Sequence, residues 1–115
     1  MNRSPEREQF LADIITCAVE GGGVWARFSG YRWDGIPSAE CRATLHDMED
    51  GESYPLTIDA VARGIGLIVR GDVGVNRTLR GAILYADREN DAGEIDADAA
   101  DVIVQAGLLG DVVYG

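Results

Sequence analysis

The sequence has few of the residues on which metal binding and nucleophilic catalysis usually depend. Its 115 residues include one histidine, two cysteines and three prolines. A single histidine would have to serve every catalytic triad, and Cys17 lies on the apolar stripe of a predicted helix, so no nucleophile pairs convincingly with a base. Without an export signal, Cys17 and Cys41 are expected to be free thiols. We therefore expect no cofactor, no metal and no enzymatic activity.

Long apolar segments are also missing. The first nine residues, Met1 to Gln9, contain no apolar core of the kind that a signal peptide has. No uninterrupted apolar run approaches the length needed to cross a bilayer. We expect a cytoplasmic protein with no membrane partner.

Positive charge is scarce relative to negative charge. Twenty Asp and Glu residues stand against ten basic residues, which gives a formal net charge of −10 at pH 7. This charge repels phosphate backbones at range, so we expect no direct binding to nucleic acid. The hydrophobic fraction of 46% is too high for a disordered acidic tail. The length fits one domain, so residues 1–115 are predicted to form a single compact domain.

Helical periodicity appears at both ends of the chain and in its middle. Ser4 and Pro5 open a helix that the glycines at 21–23 are expected to end. Three further helices are predicted from residues that can act as N-caps ahead of apolar residues at helical spacing: Thr57, Asn76 and Asp96. Two glycines inside the second helix, Gly64 and Gly66, indicate close packing or a kink.

A pattern of period two separates the first helix from the second. It predicts a strand from Val24 to Trp33 and a second extended stretch from Cys41 to Met48, joined as a β-hairpin. Residues Gly71 to Val75 could be a loop or a short third strand. The predicted fold class is α+β, with three to four helices packed on a small antiparallel β-hairpin or sheet.

Four segments of the chain carry a resemblance: Phe10–Trp25, Tyr31–Trp33, Ala43–Met48 and Leu56–Gly64. Through them the chain resembles an uncharacterised family of small acidic proteins from actinobacterial viruses and mobile elements. The resemblance implies an origin and not an activity, because the family brings no catalytic residues to carry over. It does favour a viral accessory role, since small accessory viral proteins frequently bind a component of the host.

An aromatic face of the first predicted strand is one candidate site. Strict alternation places Trp25, Arg27, Tyr31 and Trp33 on the same side. Aromatic rings beside a guanidinium are suited to stacking on a base, so a nucleotide-like ligand could bind there. The alternative is that this face packs under a helix, because aromatic side chains dominate the cores of small domains.

An acidic segment between the last two predicted helices is the second candidate. Its seven carboxylates belong to Asp87, Glu89, Asp91, Glu94, Asp96, Asp98 and Asp101. They could contact a host protein, and could imitate a phosphate array that occupies a nucleic-acid-binding protein. A calcium loop is disfavoured, because with Asp87 as its first residue Ala92 stands where glycine is required and Asp98 replaces the closing glutamate.

His46 is the remaining candidate for chemistry. An enzyme would depend on it together with neighbouring carboxylates, but residues 46 and 47 of a strand point to opposite faces. The sequence therefore favours a non-enzymatic acidic protein that binds a host protein, ahead of a nucleotide-like ligand binder or sponge and then a small enzyme. A homo-oligomer, formed through a strand edge or the apolar tail, is compatible with this interpretation.

Overall fold

A computed structural model describes residues 3–21 and 24–114. The elements are α1 (Pro5–Gly21), β1 (Ala26–Arg32), β2 (Arg42–Asp47), β3 (Ser53–Thr57), α2 (Ile58–Val69), α3 (Arg77–Glu89) and α4 (Ala97–Leu109). Four helices packed on a three-stranded antiparallel sheet make an α+β arrangement, as predicted. Within the two described stretches, no helix combines the length and the apolar character that crossing a membrane requires.

The predicted N-caps are all present. The side-chain oxygens of Ser4, Thr57, Asn76 and Asp96 each accept a hydrogen bond from the backbone N–H three residues later, at 2.8 to 3.3 Å. These bonds satisfy N–H groups that the first turn of a helix leaves without a partner, so short polar residues fix where each helix begins. Gly22 and Gly23, which were expected to end α1, lie outside the described residues.

The sheet has the strand order β1-β2-β3, and both pairs are antiparallel. The hairpin prediction missed β3. Its five residues, Ser53 to Thr57, are too few to show a clear alternation of apolar and polar side chains, and α2 follows directly. Pro55 sits in β3 because that strand is an edge of the sheet, where a missing N–H costs no ladder bond. The stretch from Gly71 to Val75 is a loop.

A β-bulge in β1 changes which side chains share a face. On either side of the bulge, Ser29 pairs with Thr44 and Arg32 pairs with Arg42. Between these two pairs, β1 has one residue more than β2. Gly30 permits the irregularity because its φ of +63° is costly for any residue with a side chain. Tyr31 and Trp33 are thereby turned away from the face that carries Arg27. The prediction of one continuous face was wrong for this reason.

The centre of the molecule is a close contact between α2 and α4. A Cβ atom on Gly64 would lie 2.1 Å from the backbone oxygen of Ile103, and one on Gly107 would lie 2.1 Å from the backbone oxygen of Ala60. The two helices therefore approach each other through glycines, and the close-packing interpretation of Gly64 is confirmed. Beside this pair, α1 and the inner face of the sheet complete the core, with Phe10, Leu45 and Leu56 fully buried.

Candidate functional site

Trp25 lies in the core and not on a ligand-binding face. Its side chain is only 4% exposed, and its ring stacks on that of Tyr114 with centroids 4.9 Å apart. The indole Nε1 donates a hydrogen bond of 2.7 Å to Oδ1 of Asp101. Every polar and apolar part of this side chain is thus engaged within the protein.

The other members of the predicted aromatic face are dispersed. Tyr31 and Trp33 line a shallow depression of about 220 Å³ at the edge of the sheet, together with Arg32 and Asp34. The Tyr31 hydroxyl is 2.6 Å from Oγ1 of Thr16 on α1. Arg27 on β1 lies directly opposite His46 on the neighbouring strand β2. The structure therefore does not bring the four residues together, and the nucleotide-like ligand stays a prediction.

The outer face of the sheet is basic. Its strand positions carry three exposed arginines, Arg27, Arg32 and Arg42, and no carboxylate. His46 lies between two hydroxyl groups on this face, with Nε2 2.7 Å from Ser29 and Nδ1 2.8 Å from Ser53. Asp47 points to the opposite, buried face, away from the imidazole. Three of the ten arginines therefore lie on this face, away from the groove-lining carboxylates described below.

Two of the seven predicted surface carboxylates are half-buried in contacts with distant parts of the fold. Asp87 is half-buried and forms an ion pair with Arg7. The Arg7 guanidinium also donates a hydrogen bond of 3.0 Å to the Asp87 carbonyl and one of 2.8 Å to Oδ1 of Asn90. These bonds fasten the end of α3 to α1, so the charge of Asp87 is neutralised. Asp101 is half-buried and accepts from Trp25. Neither side chain is therefore freely exposed on the predicted acidic partner surface, which stays a prediction.

The remaining five carboxylates are exposed. Glu89 pairs with its neighbour Arg88 at 3.0 Å, and Asp91 accepts from the N–H of Gly93 at 2.8 Å. Glu94 and Asp98 make no side-chain hydrogen bond within the described part of the chain. Among residues 3–21 and 24–114, no three His, Cys, Asp or Glu side chains come together as a group that could hold a metal ion.

An open groove of about 620 Å³ runs between the second half of α1 and the segment from residue 90 to 97. Asp13, Glu20 and Asp91 line it, and no arginine in the described part of the chain does. Burial, and then the carboxylates of Asp96 and Glu20, raise the pKa of the Cys17 thiol in its wall. Sequence reasoning missed Asp13 and Glu20, because acidic residues at these helix positions resemble an ordinary solvated face.

We define the acidic face as the half-buried Asp13 and the exposed Glu20 and Asp91, which line this groove, together with three exposed carboxylates of the adjoining segment: Glu94, Asp96 and Asp98. No protein-family model, curated protein or solved structure matches the chain. Its function must therefore be inferred from its own residues. The resemblance to the viral family stays a prediction.

A buried polar network holds the end of the chain against the sheet. Gln105 is fully buried, and its Oε1 accepts hydrogen bonds of 2.8 Å from the N–H groups of Val113 and Tyr114. The Tyr114 hydroxyl donates to the carboxylate of Asp47, at 2.9 Å from Oδ2 and 3.1 Å from Oδ1. This bond is the main reason that the pKa of Tyr114 rises to about 12. Sequence reasoning missed the network, because Asp47 and Tyr114 are 67 residues apart in the chain.

Asp47 makes stability depend on pH. Burial alone would raise its pKa, but hydrogen bonds from the N–H of Glu49, the hydroxyl of Tyr114 and the N–H of Asp50 outweigh burial and hold the pKa below its usual value. The stability that Asp47 contributes is therefore fully present above the unfolded-state pKa, about 3.9, and is lost as the pH falls through the lower folded-state value.

We expect an Asp47→Asn variant to melt at a lower temperature than the wild type at pH 7, and the gap to narrow between about pH 5 and pH 3. Thermal melts followed by circular dichroism at several pH values measure this gap. Asp34→Asn, at an exposed turn position, is the control and should track the wild type. A gap that stays constant over the whole range would contradict the assignment.

Proposed function

We propose that this protein is a non-enzymatic acidic binding protein that acts in the cytoplasm, where the acidic face docks on a basic surface of another protein. If the viral resemblance holds, that partner is a host protein. The observation that carries the proposal is the segregation of charge. Carboxylates without arginine surround the groove beside α1, whereas the exposed arginines of the sheet lie on its outer face.

Electrostatic complementarity is the physical basis for recognition. A surface of one sign steers an oppositely charged partner into contact and repels competitors of the same sign, although each exposed ion pair contributes little affinity alone. A sharper version of the proposal is that the acidic face imitates a phosphate array. Its partner would then be a protein whose basic surface normally contacts nucleic acid.

Neutralising the acidic face should weaken capture of the partner. The test variant is Glu20→Gln/Glu94→Gln/Asp98→Asn, in which all three side chains are exposed and make no side-chain hydrogen bond in the described residues. The tagged protein would be incubated with nuclease-treated actinobacterial lysate, and the retained proteins identified by mass spectrometry at low and moderate salt. We expect binding to weaken by roughly tenfold, since three exposed charges together are worth about 1.4 kcal/mol.

The matched control is Glu40→Gln/Glu49→Gln/Glu52→Gln, which removes the same charge from exposed positions away from the groove. It should retain the partner. Equal losses in both triple variants would mean that only net charge matters, and no retained protein in any sample would reject the proposal. Competition by duplex DNA tests the mimicry version, because a phosphate mimic must be displaced by phosphates.

A further inference from the structure

A second groove, of about 430 Å³, lies between the start of α3, the first turns of α4 and the end of the chain. Its apolar walls are formed by Val75, Leu79, Val102 and Val112, and Tyr114 also lines it. Two carboxylates, Asp98 and Asp101, are the charged groups that the described residues contribute to its lining, and none of those residues is an arginine. The groove thus combines an apolar interior with negative charge on one wall.

Asp101 is a carboxylate held in a fixed orientation without a counter-ion. Its Oδ1 accepts a hydrogen bond of 2.7 Å from Nε1 of Trp25, and its Oδ2 accepts one of 2.9 Å from Nε2 of Gln105. Both donors are neutral, and among the described residues no basic group lies within ion-pair distance of it. Each oxygen keeps a second lone pair, so the group can accept further hydrogen bonds. A half-buried, oriented and uncompensated carboxylate favours a cationic ligand.

Asp98 lies at the mouth of the same groove. It is three residues before Asp101 on α4, so the two side chains lie on one side of the helix. Asp98 is exposed and engaged by no other side chain in residues 3–21 and 24–114. A cation that enters the groove would therefore meet one carboxylate at the rim and a second one further in.

The lining determines which cation fits. A bare metal ion gains nothing from apolar walls, and an anion is repelled by both carboxylates. A long side chain with an apolar stem and a planar cationic head matches this lining. The stem would pack on the valines and the leucine, while the guanidinium would meet the two carboxylates and Tyr114. We propose that this groove is the anchor pocket for an arginine side chain of the protein partner, an inference that rests on the proposed function.

The pocket would give the docking surface a specific centre. Exposed carboxylates alone attract any basic surface, whereas a buried arginine anchor is the kind of contact that dominates the energy of many interfaces. Because Asp98 belongs both to the acidic face and to the pocket, the two surfaces are continuous. The partner's basic surface would lie over the acidic face while one arginine enters the groove.

The probe is blocked arginine, N-acetyl-arginine methylamide, titrated into the ¹⁵N-labelled protein and followed by NMR. Trp25 provides the readout, because its indole N–H is bonded to Asp101, and the half-buried Trp33 at the other edge is the internal reference. The Trp25 indole signal should shift and saturate in the millimolar range, on the order of −4 kcal/mol of binding free energy. Blocked citrulline, which has the same shape without the charge, should cause no saturating shift.

Two single variants separate the pocket from diffuse attraction. Asp98→Asn should weaken the binding of blocked arginine by at least about threefold, whereas Glu52→Gln, at an exposed position outside both the acidic face and the pocket lining, should leave it unchanged. An unmoved Trp25 signal, an equal response to citrulline, or equal losses in the two variants would overturn the pocket. Partner capture that survives Asp98→Asn but not the triple neutralisation would also overturn it while leaving the proposed function standing. Arginine binding with no captured partner would support the pocket and reject the proposed function.

Discussion

Replacing Gly64 with alanine should destabilise the protein by about 2–3 kcal/mol, even though alanine is the better helix former. The added Cβ would lie 2.1 Å from the backbone oxygen of Ile103 and 2.9 Å from the backbone nitrogen of Gly107. Neither atom belongs to a flexible side chain, so α2 and α4 must move apart. The gap would reach the core, because Val61, Ile65 and Ile103 around the contact are buried.

Gly66, two residues along the same helix, supplies the matched control. A Cβ there would meet only the guanidinium of Arg70, at 3.0 Å from Nη1, which can swing aside. Gly66→Ala should therefore leave stability unchanged or raise it by up to about 1 kcal/mol, the ordinary gain of alanine over glycine in a helix. Urea unfolding followed by circular dichroism measures both. If both variants behave alike, the close approach of α2 and α4 is not the reason for Gly64.

Local chemistry explains why the helices were predictable. Ser4, Thr57, Asn76 and Asp96 act within three residues of themselves, so a cap and the apolar stripe that follows it can be recognised without knowing the rest of the fold. The same locality explains the success with fold class. Three capped helical stripes after one extended region leave few arrangements other than helices packed on a small antiparallel sheet.

The candidate site was less predictable because its features depend on distant residues. A single bulge at Gly30 reassigns every later side chain of β1, and alternation cannot reveal it since the glycine looks like any other. Asp87 and Asp101 resemble surface acids until Arg7 and Trp25, about 80 residues away, are found beside them. Conversely, Asp13 and Glu20 join the acidic face only because α1 packs beside the segment from residue 90 to 97.

The groove beside α4 depends on the end of the chain staying in place, and Gln105 is the residue that holds it. Its four hydrogen bonds are all made: Oε1 accepts from Val113 and Tyr114, while Nε2 donates to Asp101 and to the Tyr114 carbonyl at 3.0 Å. A leucine fills a similar volume but makes none of them. Two backbone N–H groups, one carbonyl and one carboxylate oxygen would lose their partners.

Gln105→Leu should therefore cost about 2–4 kcal/mol of unfolding free energy and release residues 112–114 from the body of the protein. Urea unfolding gives the energy, and hydrogen exchange at Val113 and Tyr114 reports the release. Loss of the Tyr114 ring from Trp25 should also change tryptophan fluorescence. Gln9→Leu is the control, because Gln9 is exposed and its amide makes only exposed hydrogen bonds in the described residues, donating to Asp13 and accepting from the Ser38 hydroxyl.

The same variant tests whether arginine binding needs the apolar wall and the orientation that Gln105 gives Asp101. Val112 and Tyr114 form part of the wall, so their release should weaken the binding of blocked arginine although Asp98 and Asp101 are both still present. Unchanged exchange at Val113 and Tyr114 would mean that other contacts hold the tail. Unchanged arginine binding after the tail is released would mean that the carboxylates act without the apolar wall, and a bare charged surface would then replace the pocket.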